Sequence, residues 1–303
     1  MNVVEIILTL AIMVAIGYVL KNRDILRENN IELLNKLVVY IFLPCFAFLA
    51  IYQSDSSHFL SFTFLPLFNI IIAIILGSTS YILLRSFNMP KRNLWAVVVS
   101  VVMMNSGFFG FPLCFGLYGN QGLARASFFD IATPLFFICF SIIFLHEFNE
   151  KETYTDIFKK IIRFPLLIAI ILGILLNVLN IPIGFITRTL TYLGSATIPL
   201  IMIVLGASID IKAIRLHIKK ASYVTLMRLI VAPLLAVLFV APLLGLSGLN
   251  YSVAVLEVSL PSAILPLTLG IEHKLNTNII TAAICLSTIV SLVTIPVISI
   301  ILL

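Results

Sequence analysis

Charge is what this sequence most lacks. Asp, Glu, Lys and Arg make up 11% of its 303 residues, against 61% hydrophobic residues and a mean hydropathy of +1.17. A soluble domain of this length could not cover its surface with so few charges. Nucleotide chemistry has no foothold either: no P-loop is present, which leaves nothing for ATP-driven pumping. HExxH, GxSxG and paired metal-ligand spacings are missing, so the chain is read as a non-enzyme with no cofactor or metal. The four cysteines (Cys45, Cys114, Cys139, Cys285) form no CxxC and all fall inside apolar blocks, where they read as small core residues. His58, His146, His217 and His273 are scattered through connectors and block edges. No basic leader precedes the first apolar run. Glu5 is the first charge and Lys21, Arg23 and Arg27 follow the run, the pattern of an uncleaved first helix rather than a signal peptide.

What is present is a series of apolar blocks long enough to cross a hydrocarbon core of about 30 Å. They predict ten membrane spans near 3–20, 34–53, 63–84, 93–118, 124–145, 164–180, 188–208, 221–243, 249–270 and 277–302. Connectors are short; the longest, His146 to Arg163, divides the chain near its middle into 1–150 and 164–303, joined by 151–163. With the N-terminus outside, 16 of the 19 basic residues fall on the cytoplasmic side, while Arg125 and Arg188 stay outside and Arg228 lies within a span. That asymmetry obeys the positive-inside rule. It predicts a multi-pass cell-membrane protein with both termini outside, and it assigns the formal charge of +6 to topology rather than to nucleic acid.

The two halves echo each other. Pro44 in LVVYIFLPCFAFLAI and Pro199 in LGSATIPLIMIVLGA lie 155 residues apart, and Pro112 and Pro266 lie 154 apart. At the second offset Asn105 matches Ser259 and Gly107 matches Pro261. Five spans is an odd number, so the second half enters the membrane inverted. Inverted repeats characterise transporters that alternate access between two faces.

Spans 4 and 9 carry the chemistry. Gly107, Gly110, Pro112 and Gly116 crowd span 4, while Pro261, Pro266 and Gly270 interrupt span 9. Proline removes a backbone donor and glycine weakens a helix. Backbone freed at membrane depth is tolerated where it is buried or lines a wet cavity. Asn105, Ser106, Ser259 and Ser262 stand beside the breaks and can donate to a carboxylate, and half-helix N-termini there favour an anion. Ordinary kinks and interhelical hydrogen bonds are the plainer reading of the same residues. Asp130, Glu257 and Arg228 are costly inside spans. The two carboxylates are candidates for proton coupling and Arg228 for balancing an anionic substrate, with structural ion pairs the alternative.

GYVLKNRDIL with LLNKLVVYIFLPC, NSGFFGFPL, LGSATIPLIMIVLGASI, SLPSAILPLTLG and CLSTIVSLVTIPV occur in that order along the chain. Together they resemble the auxin efflux carrier family, which includes the plant PIN auxin carriers and bacterial malate permeases. The resemblance implies an all-helical membrane fold of ten helices in two inverted five-helix repeats. Helices 4 and 9 would be broken and cross at the midplane, with an organic anion such as auxin or malate held there. It carries the helix 4 asparagine onto Asn105 and the crossover prolines onto Pro112 and onto Pro261 or Pro266. It also makes a homodimer plausible. Rival readings are a sodium-coupled symporter or cation–proton antiporter of related fold, and a membrane receptor or sensor. The coupling ion, proton or sodium, stays open.

Overall fold

In lipid every peptide N–H and C=O must bond within its own segment, so apolar blocks of this length become helices. The computed structural model describes residues 3–148, 153–162 and 164–302. Lys151 and Arg163, both counted above among the cytoplasmic charges, lie outside the described residues. Among the described residues there is no strand, and seven helices are long and apolar enough to cross a membrane: Val4–Asn22, Glu28–Tyr52, Phe59–Arg85, Ser106–Glu147, Ile186–Ala207, Ile211–Leu243 and Thr277–Ile301. Pro165–Val178 is apolar but shorter. The sequence predicts ten spans, and the difference has a physical cause. Spans 4 and 9 are each interrupted, leaving Lys91–Val102, Gly248–Val258 and Leu265–Glu272 as separate helices. None of these reaches the ~20 residues that a single crossing needs.

By packing, the chain forms two compact units that interleave along the sequence. The first comprises Met1–Thr63, Gly107–Phe128 and Ile162–Ile209; the second comprises Phe64–Ser106, Phe129–Ile161 and Asp210–Leu303.

Close approach of backbones organises the first unit. Apolar helices gain nothing from leaving lipid for one another, so they associate where small residues let their backbones touch. Gly17 on the Val3–Asn22 helix and Gly206 on the Thr197–Ala207 helix do this reciprocally. A Cβ at Gly17 would lie 2.0 Å from the Ile203 carbonyl oxygen, and one at Gly206 would lie 1.9 Å from that of Val14. Gly173 approaches less closely, with a Cβ there lying 3.1 Å from the Phe48 carbonyl oxygen and 3.3 Å from the Ile51 side chain. One polar staple is added: Asn177 donates through Nδ2 to the carbonyls of Tyr52 and Ser54, each at 2.8 Å, and to Ile51 at 3.4 Å. Tyr52 and Ser54 are acceptors at the C-terminal end of the Leu43–Tyr52 helix, where a helix leaves carbonyls unsatisfied without a cap; the Ile51 carbonyl already accepts from Ser54 N–H.

Aromatic and polar contacts organise the second unit. Trp95 meets Phe144 and Phe140 edge-on at 5.4 and 6.3 Å, a favourable aromatic geometry. Tyr223 Oη donates to Ser80 Oγ at 3.1 Å. The Ile211–Leu243 span contains two π-turns, Met227–Val231 and Ala236–Val240, on either side of Ala232–Leu235, with a proline opening each α-helical stretch that follows. Widening the preceding turn accommodates the hydrogen bonds that Pro233 and Pro242 cannot make. Cys285 Sγ accepts from the Asp210 backbone N–H at 3.2 Å. Cys139 is exposed, which corrects its reading as a core residue.

Candidate functional site

Two interrupted helices meet inside the second unit. Lys91–Val102 ends at Met103, whose backbone turns extended (φ −91°, ψ 114°), and Gly248–Val258 ends at Ser259. The stretches that follow, 103–105 and 259–264, lie against each other as an antiparallel pair. Met104 and Ser262 form an isolated β-bridge, Asn105 N–H donates to the Pro261 carbonyl at 2.9 Å, and Ala263 N–H donates to the Met103 carbonyl at 2.9 Å. The backbone groups released by one helix are therefore satisfied by the other, the condition for irregular backbone in a bilayer.

This geometry assigns the prolines. Pro261 sits at the crossing and supplies an acceptor to it. Pro266 instead opens the Leu265–Glu272 helix, where a missing N–H costs nothing, and Pro112 stands at the second residue of the Phe111–Asp130 helix. Gly107 belongs to a π-turn, Ser106–Gly110, in which its Cα faces Leu43. Both Pro112 and Gly107 therefore follow the break rather than form it.

The polar side chains differ in how well they are satisfied. Asn105, Ser106, Ser259 and Ser262 are all at most 2% exposed. Ser259 Oγ bonds back to the Val255 carbonyl at 2.6 Å, so its hydroxyl is used within its own helix. Asn105 Nδ2, Ser106 Oγ and Ser262 Oγ have no hydrogen-bond partner of full geometry among the described residues. Such groups cost about 1–3 kcal/mol each when buried. Asp130 accepts from Thr133 Oγ1 at 2.7 Å, and Ser106 stands beside its carboxyl without a hydrogen bond of full geometry.

Arg228 does something the sequence did not disclose. It is fully buried, and its guanidinium donates to backbone carbonyls of both interrupted helices. Nη2 reaches Val258 at 2.9 Å and Leu260 at 3.1 Å, Nε reaches Leu260 at 3.2 Å, and Nη1 reaches Val101 at 3.5 Å. The Val101 and Val258 carbonyls are the negative ends of two helix dipoles, Leu260 lies in the break itself, and a planar fork of donors suits them as a compact ammonium would not. Glu257, also fully buried, lies near enough for its charge to act on Arg228. Arg228 thus serves as a cap for the crossing, and each of its three nitrogens has a backbone acceptor. Sequence could have flagged the cost of the charge; it could not flag its partners, because every residue carries a carbonyl.

A multi-pass helical chain with two interrupted helices paired at membrane depth is the architecture of a membrane transport protein. The chain matches the family described as membrane transport protein over residues 2–299 and belongs to it, the auxin efflux carriers that its motifs resemble. Among its relatives is an uncharacterised transporter of Methanothermobacter thermautotrophicus, 34% identical over 302 residues, covering 100% of this chain and 99% of that protein. An uncharacterised transporter of Methanocaldococcus jannaschii is 34% identical over 301 residues, with 96% of each chain covered.

Proposed function

We propose that the protein is a secondary transporter that carries a small organic anion past the crossing of the two interrupted helices. The observation that carries this reading is the set of buried polar groups there: Asn105 Nδ2 and Ser262 Oγ, left without partners among the described residues, and Ser106 Oγ beside the Asp130 carboxyl. An amide donor and two hydroxyls suit a carboxylate, which takes charge-assisted hydrogen bonds from each. The positive ends of the helices that start after the breaks favour the same sign of charge. Arg228 is spent on the backbone, so the anion is held by neutral donors. Asp130, beside Ser106, is the first residue to test for proton coupling, with Glu257 the second. Sodium coupling is the rival.

Ten crossings in two inverted halves fit the helices described. Ser106–Glu147 spans 42 residues, roughly 63 Å at the helical rise, enough for two passes. Gly119 breaks it with a positive φ of 59°. With Lys91–Val102 completing span 4, the two helices around Ser259–Ile264 counted as span 9, and Pro165–Val178 as span 6, the total is ten. Spans 1, 2, 6 and 7 fall in the first unit, with 107–128, and the interrupted backbone falls in the second. That partition supports alternating access in which the second unit moves and the first stays fixed, and the asymmetry of basic residues supports both termini outside.

Uptake of labelled dicarboxylates into proteoliposomes, with and without a proton gradient, tests this reading. The expected result is saturable uptake that Asn105→Ala abolishes and that the gradient stimulates. No uptake of any organic anion, together with indifference to Asn105→Ala, would overturn it. Saturable binding with no flux would instead make the protein a receptor.

A further inference from the structure

A groove on the second unit lies apart from the crossing. Phe64–Arg85, Lys91–Val102 and Ala132–Glu147 enclose an apolar cavity of about 450 Å³, lined from Ile70 to Ile82 and walled by Trp95, Phe136 and Phe140. It is open along one side, where Ile74 and Ile82 are 60% and 69% exposed. At its end a second cavity of about 400 Å³ has a polar lining of Arg85, Asn88, Lys91 and Glu147, and shares Tyr81 and Trp95 with the first. The two spaces therefore form one slot, apolar along its length and cationic at its mouth.

Dimensions and charge identify an occupant. From Ile70 to Ile82 the helix rises roughly 18 Å, slightly more than the ~15 Å depth of one leaflet in a ~30 Å hydrocarbon core. At the mouth Lys91 Nζ pairs with Glu147 at 2.9 Å. The Arg85 guanidinium is parked over the Tyr81 ring at 5.8 Å, with Nη1 donating to Tyr81 Oη at 3.3 Å. Two cations against one carboxylate leave a net positive charge. The N-terminus of Lys91–Val102, which has no side-chain cap, adds partial positive charge at the same place. A phosphodiester beside an apolar chain matches both parts of the slot.

We infer that this slot is a binding site for an anionic phospholipid, one acyl chain lying between Ile70 and Ile82 and the phosphate at Arg85 and Lys91. The mouth belongs to the connector that the charge count places on the cytoplasmic side, so the lipid comes from that leaflet. Basic residues at an anionic surface are worth about 1 kcal/mol each, so one net charge gives roughly a fivefold preference for an anionic headgroup.

The protein contains one tryptophan, and Trp95 forms the wall shared by both spaces. Brominated acyl chains quench tryptophan on contact, so the intact protein reports its own occupancy in phosphatidylcholine vesicles doped with brominated lipid. Brominated phosphatidylglycerol is expected to quench Trp95 at roughly fivefold lower mole fraction than brominated phosphatidylcholine. The R85Q/K91Q double variant is expected to erase that difference, while K36Q, an exposed lysine on the first unit, leaves it intact. Equal quenching by the two headgroups in the unmodified protein overturns the inference even if the double variant fails to fold. So does a preference that survives R85Q/K91Q, absence of quenching by either lipid, or loss of the preference to millimolar inorganic phosphate.

Discussion

The two units use opposite means to the same end. In the first, Gly17 and Gly206 hold helices together by what they lack: the neighbouring backbone occupies the space of a side chain. In the second, a buried arginine and an antiparallel backbone pair hold the interrupted helices together by filling hydrogen bonds. The first unit should therefore resist loss of polarity and fail when volume is added. The second should tolerate modest changes of volume and fail when a donor is removed.

Substitutions can break this contrast, taken in order of expected loss of stability. Arg228→Met should cost about 3–5 kcal/mol, because it strands the Val258 and Leu260 carbonyls and leaves Glu257 buried without its counter-charge. The detergent-solubilised unfolding midpoint should fall sharply, with Arg228→Lys recovering only part of it. An unchanged midpoint would remove the arginine from its role as cap. Gly206→Leu comes next. Overpacking typically costs about 1–3 kcal/mol, and the obstacle here is backbone, so this substitution belongs at the upper end. A midpoint equal to that of the unmodified protein would show that the first unit can yield. Asn177→Leu removes the donor shared by Tyr52 and Ser54 and should cost about 1–3 kcal/mol. It marks the limit of the contrast, since it is the first unit's own polar staple. Smallest is Asn105→Ala: deleting a buried unused donor relieves about 1–3 kcal/mol while the volume lost costs a comparable amount, so the net shift in stability should be small. Transport should nonetheless collapse. Parallel loss of stability and flux in that variant would make Asn105 structural and leave the crossing without its main ligand.

Much of this was legible from residue order. Apolar block length gave the helices, and proline and glycine density located both interruptions to within a few residues. Asn105 stood out because an amide beside a broken span is rare and expensive. The prolines misled in detail, since a proline marks where a helix can begin as readily as where one ends; only Pro261 sits at the pairing itself. Three features left no trace. The clasp between Gly17 and Gly206 depends on the Ile203 and Val14 carbonyls, the Asn177 staple on those of Tyr52 and Ser54, and the Arg228 cap on those of Val258 and Leu260. In each case the partner is main chain, which is alike at every position. Only the three-dimensional path of the chain decides which carbonyl meets which side chain. Glu257, by contrast, announced its cost as a buried charge without revealing that its counter-charge lay 29 residues earlier, on the preceding span.

Arg228 also bears on how the protein is made. Synthesis runs from the N-terminus, so the arginine enters the bilayer when Val101 is already in place but Val258 and Leu260 have not yet left the ribosome. Insertion of an arginine at the centre of a span costs about 2.5–3.5 kcal/mol, and the surrounding Ile211–Leu243 span, whose most apolar 18 residues have a mean hydropathy of 2.4, is apolar enough to carry it. For the time taken to translate some thirty further residues the guanidinium must find water, lipid phosphate or a chaperone. Arrival of the 258–260 backbone thus relieves the nascent chain, which makes pairing of the two interrupted helices a late event in biogenesis.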